Sequence, residues 1–546
     1  MKIALAQLNY IIGDFNFNTQ KIISAIQDAK AKKADLIVFA ELSVCGYSPR
    51  DFLQFSEFIE LCESSAQQIA KECHGIACII GLPTINPKIE GKDLYNSAYF
   101  IEDGTVKAVV NKALLPNYDV FDEYRYFEPA LDFKCIDFMG YKIALTICED
   151  LWNINDNPMY VTCPMDELIQ EKPDLMINIA ASPFAYNHDE ERVLILGDNS
   201  RKYQLPLFYV NQIGAQTEII FDGGSLVFND EGALLDEMPY FAEDVRVYDF
   251  DQGKVKGLNP IIHDTQNDIA QIHDAVVLGI KDYFQKSGFT KAILGLSGGI
   301  DSALVCALAA EALGPDNVMA VLMPSEYSSD HSIQDALDLV KNLGCQHEVI
   351  PIKEATLAFQ TMMKPIFKDL PFSVAEENIQ ARSRAVVLMA MSNKFGYILL
   401  NTSNKSECAV GYGTLYGDMA GAIGVLGDVY KTQVYKLANY INRQKTIIPQ
   451  NSITKPPSAE LRPGQKDSDS LPEYDILDSI LFQYIELKKS SKTIINMGFE
   501  EALVKRVLKM VNVAEFKRNQ APPILRVSPK AFGVGRRMPV VGKYLS

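Results

Sequence analysis

The sequence lacks the signals of membrane, secreted and zinc-binding proteins. No apolar run approaches the roughly 20 residues that a transmembrane helix needs, and residues 1–8 have the pattern of a short strand, not of a signal peptide. The ten cysteines include no Cys-x-x-Cys pair, and only six histidines could join them as metal ligands. We therefore expect reduced thiols and a soluble, cytoplasmic protein.

Positive charge is scarce. The 52 Lys and Arg residues against 69 Asp and Glu residues give a net charge of −17. This balance excludes nucleic acid as the main partner, because phosphate-backbone binding needs a basic field. The C-terminal tail is the exception, since no acidic residue follows Glu515 whereas basic ones do: Lys517, Arg518, Arg526, Lys530, Arg536, Arg537 and Lys543. The tail could meet phosphates, or it could be a solvated or subunit-facing edge.

The chain of 546 residues is too long for a single core. Short apolar runs alternate with amphipathic ones, which predicts an α/β fold. A polar stretch with Gly and Pro begins at residue 251. We predict a first domain over 1–250, a linker over 251–265 and a second domain over 266–546, the last a doubly wound parallel sheet.

Periodicity places the main elements. In the first domain it predicts strands at Lys2–Leu8, Leu36–Ala40, Ala77–Leu82, Lys142–Ile147, Leu175–Ile179 and Leu207–Val210, with helices at Asn18–Lys32, Phe55–Lys71 and Glu190–Tyr203. In the second it predicts helices at 268–286, 301–313, 330–343 and 376–394, strands at 291–296, 318–323, 346–350 and 397–401, and a loop at 452–471.

The segment Ser297-Gly298-Gly299-Ile300-Asp301-Ser302 joins a predicted strand to a predicted helix. Such a turn exposes backbone N–H groups, its glycines let the backbone approach a ligand, and the helix dipole favours an anion. Asp301 adds a carboxylate suited to a Mg²⁺ ion that bridges phosphates. A plain β–α turn would explain the glycines but not the Ser/Asp frame, and the Walker A spacing is absent. The segment therefore predicts a phosphate site.

Three ionisable residues follow apolar segments in the first domain: Glu41, Lys112 and Cys148. A lone cysteine at a strand end is usually an inert core thiol. If the three strand ends converge on one edge of a sheet, however, the carboxylate can take the thiol proton and the ammonium can stabilise an oxyanion. This set suits acyl transfer from an amide, with ammonia leaving and a thioester then hydrolysed.

These residues resemble the Glu-Lys-Cys triad of the nitrilase/amidase superfamily, which occurs in this order. The matching segments are Phe39-Ala40-Glu41-Leu42, Asn111-Lys112 and Thr146-Ile147-Cys148-Glu149-Asp150. The resemblance implies an α-β-β-α sandwich for the first domain. It also implies that Glu123 is an additional active-site glutamate, whereas on sequence alone Glu123 could be a surface acid in a polar loop.

An amidase of this kind ahead of a Ser-Gly-Gly-x-Asp-Ser ATP pyrophosphatase resembles the glutamine-dependent NAD⁺ synthetases over nearly the whole chain. The resemblance implies a glutamine pocket formed by Tyr47, Tyr118, Trp152, Ser182 and Arg192. It implies ATP contacts at Gly295, Leu296, Ser297, Gly298, Gly299, Ile300, Asp301, Ser302, Thr402, Lys431 and Ser458. It implies deamido-NAD⁺ contacts at Asn378, Arg382, Glu407 and Lys517, and Mg²⁺ ligands at Asp301 and Glu407.

The family resemblance also implies an internal tunnel for ammonia and a homo-oligomer built through the synthetase domains. The expected partners are the small molecules glutamine, ATP and deamido-NAD⁺, with no nucleic acid and no membrane. Two other functions stay open at this point. The chain could be another glutamine-dependent ligase with the same ATP loop, or an amidase whose second half only senses ATP.

Overall fold

The computed structural model describes residues 1–154, 158–263 and 268–544. The chain divides into two compact units, Met1–Gln266 and Asn267–Ser546, here called unit 1 and unit 2. Within the described residues, no helix is both long and apolar enough to span a membrane. All ten cysteines are free thiols.

Unit 1 contains two large sheets. The first has the strand order β15-β14-β1-β2-β3-β4-β5, in which β1, β2 and β3 are mutually parallel. Its strands are β1 (Lys2–Gln7), β2 (Leu36–Phe39), β3 (Ala77–Ile85), β4 (Leu94–Glu102), β5 (Thr105–Asn111), β14 (Asp244–Asp251) and β15 (Lys254–Lys256). The second has the order β13-β12-β9-β8-β7-β6. Its strands are β6 (Ile136–Phe138), β7 (Tyr141–Ile147), β8 (Leu175–Ala180), β9 (Leu207–Asn211), β12 (Leu226–Phe228) and β13 (Leu234–Glu237).

Alternate residues of the buried strands serve different layers, because successive side chains point to opposite faces of a sheet. Ile3 and Leu5 of β1 pack into the core between the two sheets. Ala4 and Ala6 pack on the opposite face, in the cluster that includes α1 (Phe15–Ala31) and α2 (Ser56–Glu72). The helices α3 (Pro164–Leu168) and α4 (His188–Tyr203) contact the second sheet. This layering confirms the α-β-β-α sandwich.

Several short strands were missed from the sequence. The small hairpin β10 (Ile213–Gln216) and β11 (Ile219–Asp222) forms its own sheet. The strand β15 lies inside the segment 251–265 predicted as a linker, and it pairs with β14 through Asp251↔Lys254. Gln252 and Gly253 both have positive φ, +50° and +73°, which is the geometry of a two-residue hairpin turn. Part of that segment is therefore a sheet edge, and positions 264–265 lie outside the described residues.

Unit 2 is built on a parallel sheet of order β18-β17-β16-β19-β20. Its strands are β16 (Ala292–Gly295), β17 (Val318–Leu322), β18 (Gln346–Val349), β19 (Ile398–Asn401) and β20 (Ile423–Gly424). From β16 the chain first runs toward β18 and then returns to β19 on the other side of β16. Because such crossovers are right-handed, the helices lie on both faces of the sheet. This confirms the doubly wound unit and places its topological switch point between β16 and β19.

Four helices of unit 2 lie where they were predicted, whereas the helix at Lys353–Phe367 and all those after residue 401 were missed. The helices of unit 2 are α5 (Asp268–Lys286), α6 (Ile300–Leu313), α7 (Asp330–Leu343), α8 (Lys353–Phe367), α9 (Val374–Phe395), α10 (Lys405–Val410), α11 (Lys431–Ile441), α12 (Gln450–Thr454), α13 (Tyr474–Ile485), α14 (Ser491–Asn496), α15 (Glu501–Val513) and α16 (Glu515–Arg518). The predicted loop 452–471 begins inside α12 and contains a 3₁₀ turn at Asp467–Asp469.

Candidate active sites

Cys148 begins a 3₁₀ turn directly after β7 and has a φ of +44°, rare for a residue with a side chain. The turn is held by Asp150, whose carboxylate accepts N–H bonds from Ile147 at 3.0 Å, Ala113 at 3.0 Å and Leu114 at 2.9 Å. One buried side chain therefore fixes both the segment before Cys148 and the segment after Lys112.

The expected convergence on one sheet edge is wrong in its detail. Glu41 follows β2 and Lys112 follows β5, both in the first sheet, whereas Cys148 follows β7 in the second. The three groups meet because the two sheets stack face to face, so the site lies at one end of the sandwich. Sequence periodicity does not reveal which strands belong to which sheet.

Lys112 lies at the centre of a buried charge cluster. Its Nζ donates to Glu41 Oε1 at 2.7 Å and to both oxygens of Glu123 at 2.9 Å. The side chains of Lys112 and Glu41 are fully buried, and that of Glu123 is 5% exposed. The structure thus brings Glu123 to the triad, and Glu123 also accepts a bond from the Tyr47 hydroxyl at 2.7 Å.

The electrostatics assign protonation states to the cluster. Burial alone would lower the pKa of Lys112, but the charges of Glu123 and Glu41 outweigh burial and raise that pKa well above its usual range. Burial, followed by the charge of Glu41, raises the pKa of the Cys148 thiol well above its ordinary value, against the opposing effect of Lys112. In the resting site Lys112 is therefore a charged ammonium and Cys148 a neutral thiol. The thiol must lose its proton to a base before its sulfur can attack a carbonyl.

Two neighbouring groups hold Glu41 in place. Asn96 donates its amide to Glu41 Oε1 at 2.7 Å, and the backbone N–H of Ala181 donates to Glu41 Oε2 at 3.1 Å. Since both carboxylate oxygens have partners, the carboxylate has a fixed orientation. No sequence pattern pointed to Asn96, which lies within β4.

Glu149, next to Cys148, was not singled out from the sequence. It is buried and accepts hydrogen bonds from the hydroxyls of Tyr118 at 2.8 Å and Tyr160 at 3.0 Å. Burial raises its pKa, against the effect of Lys112 and the two tyrosines. Tyr118, predicted for the glutamine pocket, is therefore beside Cys148, and its hydroxyl is oriented by Glu149.

Trp152 and Ser182 come together through a residue that the sequence analysis missed. The ring of His188 stacks on Trp152 with centroids 5.2 Å apart, and His188 Nε2 lies 3.4 Å from Ser182 Oγ. His188 is the first residue of α4, so the start of this helix forms part of the wall around Trp152 and Ser182.

Arg192 has a different environment from the one expected. It is fully buried and pairs with both oxygens of Asp222, at 3.0 and 2.6 Å. Asn211 links this pair to the pocket, because its amide donates to Asp222 at 3.3 Å and to the Ser182 carbonyl at 3.2 Å. Arg192 lies one helical turn beyond His188, and its two terminal nitrogens are engaged by Asp222.

The second site lies at the switch point of unit 2. Gly298 has a φ of +79°, and a Cβ there would lie 2.1 Å from the Ser332 carbonyl oxygen, so only glycine fits. Ser297 Oγ lies 3.1 Å from Ser302 Oγ, and the Gly299 N–H donates to Ser297 Oγ at 3.2 Å. The loop presents the start of α6 to the space above the sheet, as an anion site requires.

A cavity of about 300 Å³ opens beside this loop. Its walls include most of the residues expected to contact ATP or metal: Gly295, Leu296, Ser297, Gly299, Ile300, Asp301, Ser302, Thr402, Glu407, Lys431 and Ser458. Gly298 is not among the lining residues. Apolar side chains that were not predicted, Met323, Leu388 and Leu399, line another part of the cavity, which suits a flat aromatic group.

Three carboxylates, those of Asp301, Glu407 and Asp467, line this cavity together with the ammonium of Lys431. Lys431 forms an ion pair with Asp301, whose other oxygen accepts from the Asn404 amide at 2.9 Å. Burial, followed by the charge of Asp301, raises the pKa of Glu407 well above its usual value. Asp467 also lines the cavity, and burial raises its pKa. The site thus concentrates negative charge that a cation would neutralise.

The donor set fits Mg²⁺ bound jointly with phosphates. Across residues 1–154, 158–263 and 268–544, no three His, Cys, Asp or Glu side chains are grouped to hold a metal by themselves. Mg²⁺ commonly takes one or two carboxylates, the rest of its ligands being water and substrate phosphate. Asp301 and Glu407 supply that number at the mouth of the phosphate loop.

The remaining predicted residues contact a single loop, 411–417. Thr414 donates its hydroxyl to Asn378 at 2.7 Å, Arg382 Nε donates to the Leu415 carbonyl at 3.2 Å, and Lys517 Nζ donates to the carbonyls of Gly411 and Gly413 at 2.7 Å each. These three residues are therefore brought together, although they do not line the cavity. Arg384 does line it and was missed, two positions beyond Arg382.

Comparison with known proteins adds to this geometry. Residues 2–259 match the carbon-nitrogen hydrolase family and residues 272–521 match the NAD synthase family. The chain is 47% identical to a glutamine-dependent NAD(+) synthetase of Synechocystis sp., over 98% of both chains, and 42% identical to one of Acinetobacter baylyi, over 99% and 98%. The solved structure of a glutamine-dependent NAD⁺ synthetase from Acinetobacter baumannii in complex with adenosine diphosphate superimposes with a TM-score of 0.79, at 38% identity, over 99% of this chain and 98% of that one.

Proposed function

We propose roles for the residues of both sites from one premise: the chain belongs to the family of glutamine-dependent NAD(+) synthetases. It is a ligase that uses ATP to amidate deamido-NAD⁺ to NAD⁺ with ammonia released from glutamine. These roles rest on one observation. The same chain contains a buried Lys112–Glu41 ion pair beside Cys148 and, in its second unit, the 297–302 loop beside a cavity. We assign amide hydrolysis to residues 1–250 and amidation to residues 266–546.

At the amidase site, Glu41 removes the proton of the Cys148 thiol as the sulfur attacks the side-chain amide carbon of glutamine. Lys112 stabilises the developing oxyanion, since its raised pKa keeps it charged. The protonated Glu41 then returns a proton to the departing amine, and ammonia leaves. Glu41 activates the water that hydrolyses the thioester. Glu123 keeps Lys112 in place through its two hydrogen bonds.

Glutamine would lie between the Tyr118–Glu149 pair and the Trp152–Ser182 wall. Glu149 is a buried carboxylate that suits the α-ammonium of an amino acid, while Tyr47 and Tyr118 shape the pocket near Cys148. Arg192 acts one step away by orienting Asp222 and, through Asn211, Ser182. The same arrangement excludes bulk water from the thioester.

At the synthetase site, the backbone of 297–302 and the start of α6 hold the phosphates of ATP. Lys431 and Thr402 contact the phosphates, and Ser458 forms part of the cavity wall around ATP. Deamido-NAD⁺ is bound directly, or through loop 411–417, by four residues: Asn378, Arg382, Glu407 and Lys517. The deamido-NAD⁺ carboxylate attacks the α-phosphate, releasing pyrophosphate, and ammonia then displaces AMP from the adenylated intermediate. Asp301 and Glu407 would hold Mg²⁺, which supplies charge neutralisation of the phosphates.

The oligomer and the compartment are proposals as well. Large apolar side chains of α8 and α9 are exposed: Leu357, Met362, Ile366, Val386 and Phe395. Exposed apolar surface of this kind suits burial against a second copy of the chain, which supports a homo-oligomer through the synthetase units. The ten free thiols support a reducing, cytoplasmic location.

One assay tests the assignment of the two sites. Purified protein receives ATP, Mg²⁺, deamido-NAD⁺ and either glutamine or ammonia, and NAD⁺ and AMP are measured for wild type and Cys148→Ala. We expect the variant to lose synthesis from glutamine and keep synthesis from ammonia. Loss of both activities in a folded variant would overturn the separation. If ammonia passes from the amidase site to the synthetase site without entering the solution, an ammonia trap added to the solution should not reduce NAD⁺ formation from glutamine.

A further inference from the structure

The chain segment that leaves unit 1 is attached to the second sheet by a buried histidine. The Ile261 N–H donates to the Leu234 carbonyl of β13 at 2.8 Å. Two residues later, His263 Nδ1 lies 3.0 Å from Glu237 Oε1, at the end of the same strand. The His263 side chain is 11% exposed. The segment therefore runs along an edge strand and is held there by an imidazole.

The opposite side of the imidazole faces a second carboxylate. His263 Nε2 lies 3.5 Å from Asp189 Oδ2, and the Asp189 side chain is 4% exposed. Asp189 is the second residue of α4, next to His188. His263 thus bridges β13 and the start of the helix whose first residue stacks on Trp152.

The Glu237 side of the bridge also leads to the pocket. Tyr240 donates its hydroxyl to Glu237 at 2.5 Å, and the Arg192 guanidinium lies 6.0 Å from the centre of the Tyr240 ring. Arg192 pairs with Asp222, which Asn211 connects to Ser182. Two contiguous chains of contacts therefore run from His263, one to His188 and Trp152 and one to Ser182.

We propose that His263 is a positioning residue for glutamine, which holds the wall formed by His188, Trp152 and Ser182 in its binding geometry. The proposal rests on the assignment of that wall to the glutamine pocket. The mechanism does not use His263, and no contact of His263 with the reacting atoms is implied. Its effect passes through Asp189 to the first turn of α4 and through Glu237 to Tyr240 and Arg192. The segment that precedes unit 2 is consequently part of the support of the amidase pocket.

The test compares His263→Ala with Ile262→Ala, a control on the same segment whose side chain is 94% exposed. Glutamine hydrolysis and ammonia-dependent NAD⁺ synthesis are measured on the full chain. For His263→Ala we expect the KM for glutamine to rise about tenfold, the size of one lost charge-assisted hydrogen bond. We expect kcat to change less than about twofold, because bonds to the reacting atoms are unchanged. Ile262→Ala and all ammonia-dependent rates should match wild type.

His263→Gln separates positioning from folding, since the amide can still reach one carboxylate. We expect a KM between those of wild type and His263→Ala, and this variant carries the comparison if His263→Ala does not fold. A wild-type KM in either folded variant would overturn the proposal, as would an equal loss of ammonia-dependent synthesis. Failure of the underlying assignment has a different signature: Trp152→Ala and Ser182→Ala would then also leave the KM for glutamine at its wild-type value.

Discussion

Lys112 Nζ lies 2.7 Å from Glu41 Oε1, with both side chains fully buried. An isolated ion in such a place would be strongly disfavoured, but here one ammonium contacts two carboxylates, those of Glu41 and Glu123. The pair therefore combines the two groups that the proposed mechanism needs: a carboxylate to act as base and a cation that stays charged. Because the charges are buried, loss of either partner should also reduce the stability of unit 1.

Replacing Lys112 tests that sensitivity. Lys112→Met leaves two buried carboxylates without their cation, so we expect a loss of about 3–5 kcal/mol in stability. Removal of the oxyanion partner should also reduce glutamine hydrolysis ~10²–10³-fold. Chemical denaturation and a glutaminase assay measure the two effects. Lys107→Met is the matched control, because Lys107 is exposed on β5, the strand that Lys112 follows. An equally stable and active Lys112→Met protein would contradict the proposed role.

The protonation state of Cys148 can be read from its alkylation. Burial and the charge of Glu41 raise the pKa of the thiol well above 9.0. Only the thiolate reacts, so the modification rate should rise about tenfold per pH unit without a plateau below pH 9. Mass spectrometry of the peptide containing Cys148 after iodoacetamide treatment measures this rate. Saturation near neutral pH would show a preformed thiolate and remove the need for Glu41 as base.

The phosphate loop makes a prediction about two adjacent glycines. Gly298→Ala would place a Cβ 2.1 Å from the Ser332 carbonyl oxygen at a φ of +79°. The loop must then move, and we expect the KM for ATP to rise at least ~10-fold, a cost of about 1–2 kcal/mol in backbone strain alone. Gly299→Ala, whose Cβ would lie 3.3 Å from Ser297 Oγ, should have a smaller effect. Equal KM values for the two variants would argue against the loop geometry.

A pH-dependent contribution to stability is expected from His273. Its imidazole bonds to Asp274 at 2.8 Å and Glu311 at 3.1 Å. Burial would lower its pKa, but these partners raise it from 6.5 to about 9. Because the pKa is higher in the folded state, this group stabilises the fold fully below pH 6.5. That stabilisation is lost as the pH rises through about 9.

We expect about 1–2 kcal/mol from this group, because its two partners are half-exposed and therefore screened by solvent. Comparison of wild type with His273→Gln across that range measures the contribution. The stability difference should be largest at about pH 6.5 and just below it, and should vanish above about pH 10. A difference that grows with pH would have the wrong sign for this mechanism.

Much of the fold could be predicted because local signals agree with the tertiary structure. The bounds of α7, Asp330–Leu343, were predicted to the residue, since Ser329 caps its start and Gly344 in the left-handed region ends it. The short strands β10 to β13 carry no such signals and were missed. β10 pairs with β11 and β12 with β13, and each of these strands has only three or four residues, too few to show a clear period in the sequence.

The site was predictable only where a residue type is chemically unusual for its position. Glu41 and Lys112 were found because charged groups rarely end apolar strands, and Cys148 because it shares their pattern. His188 and Glu149 were missed, since a histidine at a helix start and an acid in a turn are ordinary. The family resemblance placed Arg192 in the glutamine pocket. In the structure Arg192 lies one helical turn from His188 on the same face, and its guanidinium pairs with Asp222. The compartment, the oligomer and the tunnel stay predictions.

The Asp150 carboxylate receives N–H groups from the strand end that carries Lys112 and from the one that carries Cys148. The two strand ends belong to different sheets of the sandwich, and this carboxylate joins them where they meet. A change in sheet packing should therefore move Cys148 and Lys112 together and leave their spacing intact. Because of this shared carboxylate, sequence changes in the distant core of the sandwich should leave the distance between Lys112 and Cys148 unchanged.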